Sequence, residues 1–385
     1  MDTKKLKQLI EHGQSYWLDN LSRDLIRSGE LKMRVQEEGL RGVTSNPKTF
    51  SDAIAKSDAY DSDIRRLADG GEATESIYDS LMIEDIISAC DVLRPVFDES
   101  GGTDGFVSLE VDPRLARHTE ATLREARRLS EAVSRPNCMI KIPGTEEGLL
   151  AIEEALFEGI NVNITLLFTL GRYKQVVTAH QRAMDRRRQA GERLDAVASV
   201  ASFFLSRIDT LADELIDHRH TEDSPNQLAY GCRGELALAL ARLVYRQFEE
   251  SYRDSPSWQS LAASGGKVQR PLWASTGAKD PAYKSTKYVD PLIAPDTVTT
   301  MPEATIEAFA KEGTVAPESI KQSKKEPADV LDDLVSVGID LGYVGRRLED
   351  EGIQKFIDPY EAAIEAIKGQ MTSMNHAGSI DPSGR

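Results

Sequence analysis

The chain is 385 residues long and 40% hydrophobic, enough for a large core in one or two domains. Lys+Arg 47 against Asp+Glu 63 leaves a net charge of -16, which excludes a general nucleic-acid or anionic-membrane binder but not a local basic pocket for a small anion. Cys90, Cys138 and Cys232 are too few and too scattered for a disulfide framework or a zinc site, and no apolar run approaches about 18 residues, so a soluble protein of a reducing cytoplasm is expected.

In chain order, residues 3–12 read as a short amphipathic helix and Ser15–Asn20 as a strand ending near an acid, Asp19. A helix is expected from Ser22 to about Glu38, stopped by Gly39, before a short strand over 42–47 that ends in Asn46-Pro47. Residues 50–95 are rich in helix formers, with Ile83, Ile86, Ile87 and Cys90 at helical spacing. From there strands and helices alternate: strand 105–112, helix 116–134, strand 138–143, helix 148–158, strand 160–168, helix 172–189, strand 197–205. Strands over 270–278 and 296–302 complete the series. About eight strands alternating with helices predict an α/β fold, a (β/α)8 TIM-type barrel over residues 1–326. An open doubly wound sheet is the rival, and it lacks a glycine-rich dinucleotide fingerprint after any strand. Residues 327–371 read as a helical C-terminal extension packed on the barrel, 372–385 as a flexible polar tail, and 218–226 as a polar surface loop.

The run Cys138-Met139-Ile140-Lys141-Ile142-Pro143 places one lysine in a short apolar strand. Such a lysine reaches solvent, forms a structural ion pair, or is a desolvated amine able to act as a nucleophile. Its company bears on the choice. Asp19, Asn46, Glu110, Asn163, Thr165 and Ser202 are polar residues in or at the ends of otherwise apolar strands, and Asn163 and Thr165 share strand parity. Barrel sites form where parallel strands end. A lysine among two carboxylates, two amides and two hydroxyls suits Schiff-base chemistry on a polyhydroxy carbonyl compound; the competing reading is a satisfied polar network inside the barrel.

The segments Thr44-Ser45-Asn46-Pro47, Ser108-Leu109-Glu110-Val111-Asp112, Ile140-Lys141-Ile142-Pro143 and Asn161–Phe168 resemble the signature segments of the transaldolase family, in that family's order. The likeness runs on through 202–207 and 273–288 to 296–302, and the long C-terminus resembles the bacterial branch. The resemblance implies transfer of a dihydroxyacetone unit between sugar phosphates without a cofactor or metal, as a step of the pentose phosphate pathway. It implies Lys141 as the Schiff-base nucleophile and Asp19 as the acid/base for C–C cleavage. Glu110 and Thr165 would hold a proton-shuttling water. Asn46, Asn163 and Ser202 would bind the hydroxyls of the transferred unit, and Arg207 would bind phosphate. Lys279 stands where the better-known branch has a second phosphate-binding arginine. Phe204, on the parity of Ser202, would place an apolar ring near the intermediate; related aldolases carry tyrosine there and glutamine at the place of Glu110. An aldolase that releases free dihydroxyacetone, and a non-catalytic sugar-phosphate binder on the same fold, are the rivals. A monomer or homodimer is expected.

His12, His118, His180, His218, His220 and His376 form no metal pattern and are read as surface residues, and Arg186-Arg187-Arg188 as a solvated helix end. Trp17 and Trp273 are assigned to packing.

Overall fold

The computed structural model describes residues 3–219 and 227–378. Eight parallel strands close into a barrel: β1 (Gln14–Leu18), β2 (Gly42–Thr44), β3 (Phe106–Glu110), β4 (Cys138–Pro143), β5 (Val162–Leu167), β6 (Ser199–Phe204), β7 (Gln269–Ala274) and β8 (Thr297–Met301). Each pairs with the next, and β8 returns to β1 through Gln14↔Thr297 to Leu18↔Met301. The (β/α)8 barrel is therefore the fold, and the open sheet is not. Nearly every strand residue is buried, since the strands are covered by helices outside and by one another's side chains within. Trp17 and Trp273 are fully buried packing residues, as expected.

The helices depart from the sequence reading where a local signal interrupts the hydrophobic period. The single helix expected over 22–38 is broken at Gly29, whose φ of 78° is left-handed. What forms is Arg23–Arg27, capped by Ser22 accepting from Leu25 N, then Glu30–Met33 and a wider turn to Glu38. The helix-rich stretch over 50–95 divides into Pro47–Lys56, Asp61–Asp69 and Thr74–Glu99. Between β6 and β7 lie Ser206–Asp217, Leu236–Phe248 and Pro256–Ala263, which the sequence reading does not assign.

Two surface readings are corrected. His180 is 1% exposed: it lies on the inner face of helix Leu170–Gln189, with Nδ1 3.0 Å from the Tyr252 hydroxyl and its ring 5.3 Å from that of Trp258. Arg187 is buried too, donating to the carbonyls of Phe157 (2.6 Å) and Arg193 (2.8 Å), so it ties off two loop ends. After β8 the chain forms Glu303–Glu312, Pro327–Ser336 and a long helix, Leu341–Gly378. Residues 220–226 of the polar loop, His220 among them, and 379–385 of the tail lie outside the described residues.

Candidate active site

Register builds the centre of the site. In the ladder Glu110 is the partner of Lys141, and Lys141 is the partner of Asn163, so β3, β4 and β5 present these three side chains at one level. Lys141 is 5% exposed, and its Nζ donates to Glu110 Oε2 (3.3 Å) and to the Ser45 carbonyl (3.1 Å). Asn163 donates to Ser108 Oγ (2.9 Å) and accepts from Ser202 Oγ (2.6 Å), joining β3, β5 and β6. Of the readings open for Lys141, a side chain extended into bulk solvent is excluded by burial, while the pair with Glu110 is present, and the amine lines the cavity at the strand ends.

Burial pushes the Glu110 carboxyl up to about 7; the Lys141 ammonium and Arg207 oppose the shift, and Asp19 adds to it. A carboxyl in this position exchanges a proton near neutrality. Glu110 Oε1 and Thr165 Oγ1 are both buried without a hydrogen-bond partner. Buried polar atoms rarely stay without a partner.

Around Lys141 the ends of other strands open into a cavity of about 370 Å³, a size suited to a small-molecule substrate. Asp19, Asn46, Ser202, Phe204, Arg207 and Lys279 line it. Asp19 follows β1, and its Oδ1 accepts from Thr44 Oγ1 (2.9 Å), whose hydroxyl also meets that of Thr300 at 2.8 Å. Asn46 caps helix Pro47–Lys56, accepting from Thr49 N at 3.1 Å. That fixes the amide by one oxygen and leaves its NH2 for a ligand. Arg207 opens helix Ser206–Asp217; its guanidinium carbon lies 5.3 Å from the Phe204 ring, and Nη1 is buried with no hydrogen-bond partner. Desolvation lowers its pKa, with Asp19, Glu110 and Glu351 acting the other way. A half-buried cation with a donor to spare is built for an anion.

A smaller cavity of about 210 Å³ adjoins this one at Asn46 and reaches Glu110 from the side. Glu75, Asp79, Glu110, Asp112 and Glu125 line it with Arg114 and Arg128, so acids outnumber bases there. Among the described residues no cluster of His, Cys, Asp and Glu could hold a metal ion.

Most of the residues singled out from the sequence thus gather at one end of the barrel. Glu110, Asn163 and Thr165 sit below the cavity rather than on its lining, and Lys279 is exposed at the rim. The sequence reading misses Thr44 and Thr300, although both are polar residues in strands, the signal used for the others. It also misses Lys48, Lys355 and Phe356 on the lining. The last two come from helix Leu341–Gly378, and nothing local in the sequence marks them.

A family model for transaldolase/fructose-6-phosphate aldolase matches residues 16–367. The chain belongs to the transaldolase/fructose-6-phosphate aldolase family. It is 46% identical to a transaldolase of Thermobifida fusca over 368 residues, covering 96% of this chain and 98% of the relative. It is 45% identical to transaldolase 2 of a Nostoc species over 377 residues, with the same coverage. A transaldolase of Mycobacterium tuberculosis is 44% identical over 366 residues, 95% of this chain and 97% of that one. The match spans the barrel and the C-terminal helix alike, and the activity is that of a transaldolase. No described helix is long and apolar enough to cross a membrane.

Proposed function

We propose that the cavity binds a ketose phosphate, sedoheptulose 7-phosphate or fructose 6-phosphate, and moves its dihydroxyacetone unit to glyceraldehyde 3-phosphate or erythrose 4-phosphate. The observation that carries this reading is the buried Lys141–Glu110 pair beneath a cavity holding Asp19 and an unpaired Arg207 donor. Lys141 passes a proton toward Glu110 and attacks the C2 carbonyl. A water held between Glu110 and Thr165 returns a proton to the carbinolamine oxygen, which leaves as water to give the iminium. Asp19 takes the C4 hydroxyl proton as the C3–C4 bond breaks, leaving the three-carbon enamine on Lys141. Asn46 and Ser202 hold its hydroxyls, with Asn163 beneath them bonded to Ser202, while Arg207, with Lys279 at the rim, holds the phosphate of donor and acceptor. The acceptor then bonds to C3, Asp19 returns the proton, and hydrolysis frees the product. The enzyme works without a cofactor or metal, with no nucleic-acid or membrane partner, as a monomer or homodimer in the cytoplasm; the acidic chain and three unbridged cysteines support that setting.

Transfer is favoured over release by Phe204, 7% exposed, on the cavity lining, where a tyrosine hydroxyl would orient a water. In a coupled assay with fructose 6-phosphate alone, little free dihydroxyacetone should appear. Turnover should become rapid on adding an aldose phosphate, and Phe204→Tyr should shift the balance toward release. Fast release by the unmodified protein without acceptor would refute transfer.

A further inference from the structure

The ring of Phe356 lies 5.2 Å from Lys141 Nζ and 5.9 Å from the guanidinium carbon of Arg207, and the side chain is 5% exposed. It is the aromatic wall opposite the strands, and it comes from a helix about two hundred residues further along the chain. That helix is held close. A side chain at Gly345 would come within 2.3 Å of Thr169 Cγ2, so glycine permits the contact with the end of β5. Arg117 bridges to Glu349 (2.8 Å) and Asp350 (2.6 Å), and Arg114 donates to the Tyr360 hydroxyl at 3.2 Å. Phe356 is therefore a fixed wall beside the reacting amine.

We infer that Phe356 sets the partition of the enamine on Lys141, keeping water from its carbon until an acceptor arrives. The inference rests on the Schiff-base reading above. In release, C3 of the enamine takes a proton to give an iminium; water adds to C2, the C–N bond breaks, and dihydroxyacetone leaves the amine. In transfer, C3 bonds to the acceptor's aldehyde carbon while the aldehyde oxygen takes the proton, and hydrolysis of the new iminium frees the longer ketose. The two routes differ in what meets C3 first. An apolar ring offers water no hydrogen bond on that side of the amine, whereas the strand side is already occupied by Glu110 and Ser45.

The test compares Phe356→Met, Phe356→Gln and Phe356→Ala with the unmodified protein. The readouts are borohydride trapping with fructose 6-phosphate, and the ratio of acceptor-free dihydroxyacetone release to transfer onto glyceraldehyde 3-phosphate. Methionine and glutamine are close in size, so lost packing is common to both and polarity is what separates them. Each variant's melting temperature checks folding. Phe356→Gln and Phe356→Ala should raise the release-to-transfer ratio by about tenfold or more, while Phe356→Met should stay near the unmodified value. A ratio equal in the Met and Gln variants, with trapping intact, would overturn the role of Phe356 and leave the lysine mechanism standing. No trapping in the unmodified protein would overturn the underlying reading, and this inference with it.

Discussion

Asp19 lines the same cavity as Lys141, Glu110 pairs with its amine, and the surroundings of the two carboxylates differ. Asp19 is half-buried at the cavity with a hydroxyl donor on one oxygen, whereas Glu110 is buried with one oxygen unpartnered. If Asp19 serves C–C cleavage alone, Asp19→Asn should lower turnover by roughly 10²–10⁴-fold while the trapped adduct still forms. Loss of the adduct together with turnover would move Asp19 out of that role. Glu110 should show itself in pH dependence. Its pKa of about 7 lies above the usual 4.5, so the proton-accepting form is lost as pH falls below about 7. Adduct formation should slow with acid along an inflection near pH 7, and Glu110→Gln should be slow with that inflection gone. An inflection that persists in Glu110→Gln would assign it to another group. These two acids are legible in the sequence because a carboxylate at the end of an apolar strand is costly and rare. Phe356 is not legible, because an aromatic on a helix is ordinary and only the fold brings it to Lys141.

Among the elements, the strands are easier to read than the helices. Each barrel strand is buried on both sides and so reads as a short, nearly continuous apolar run bounded by polar residues, as in Cys138–Pro143. The helix expected over 22–38 fails because hydrophobic spacing continues across Gly29 although the backbone does not. Helix Leu170–Gln189 lies where the sequence places it, but His180 on it faces inward rather than outward; a histidine carries no sign of its burial. That burial has a measurable consequence. His180 is held down to about 3 from the usual 6.5 by desolvation, so the unfolded chain takes up the proton first as pH falls. Stability from the neutral ring is present above pH 6.5 and is lost progressively from there toward pH 3. His180→Phe should cost about 1 kcal/mol near neutrality by losing the Tyr252 hydrogen bond, yet its urea midpoint should fall less steeply with acid. Parallel pH slopes for variant and unmodified protein would contradict this.

Across the whole molecule the two ends of the barrel have different work. At the N-terminal end Arg270 bridges to Asp104 (3.0 Å) and donates to Ser15 Oγ and the Thr297 carbonyl (2.7 Å each), stitching the strand starts together. At the C-terminal end Lys48, Arg207, Lys279 and Lys355 gather around one cavity in a chain of net charge -16, so the local field there favours an anion against the overall charge. Alternation of strands and helices is enough to anticipate the barrel and the end at which the candidate residues gather. The closing wall from helix Leu341–Gly378 depends on tertiary packing that no local pattern encodes.

The central claim is that Lys141 forms a covalent Schiff base with the ketose. Sodium borohydride added with fructose 6-phosphate, followed by peptide mapping by mass spectrometry, tests it directly. The reduced three-carbon adduct should be found on the peptide containing Lys141, with activity lost in proportion to labelling. A label on another lysine, or none, would contradict the account.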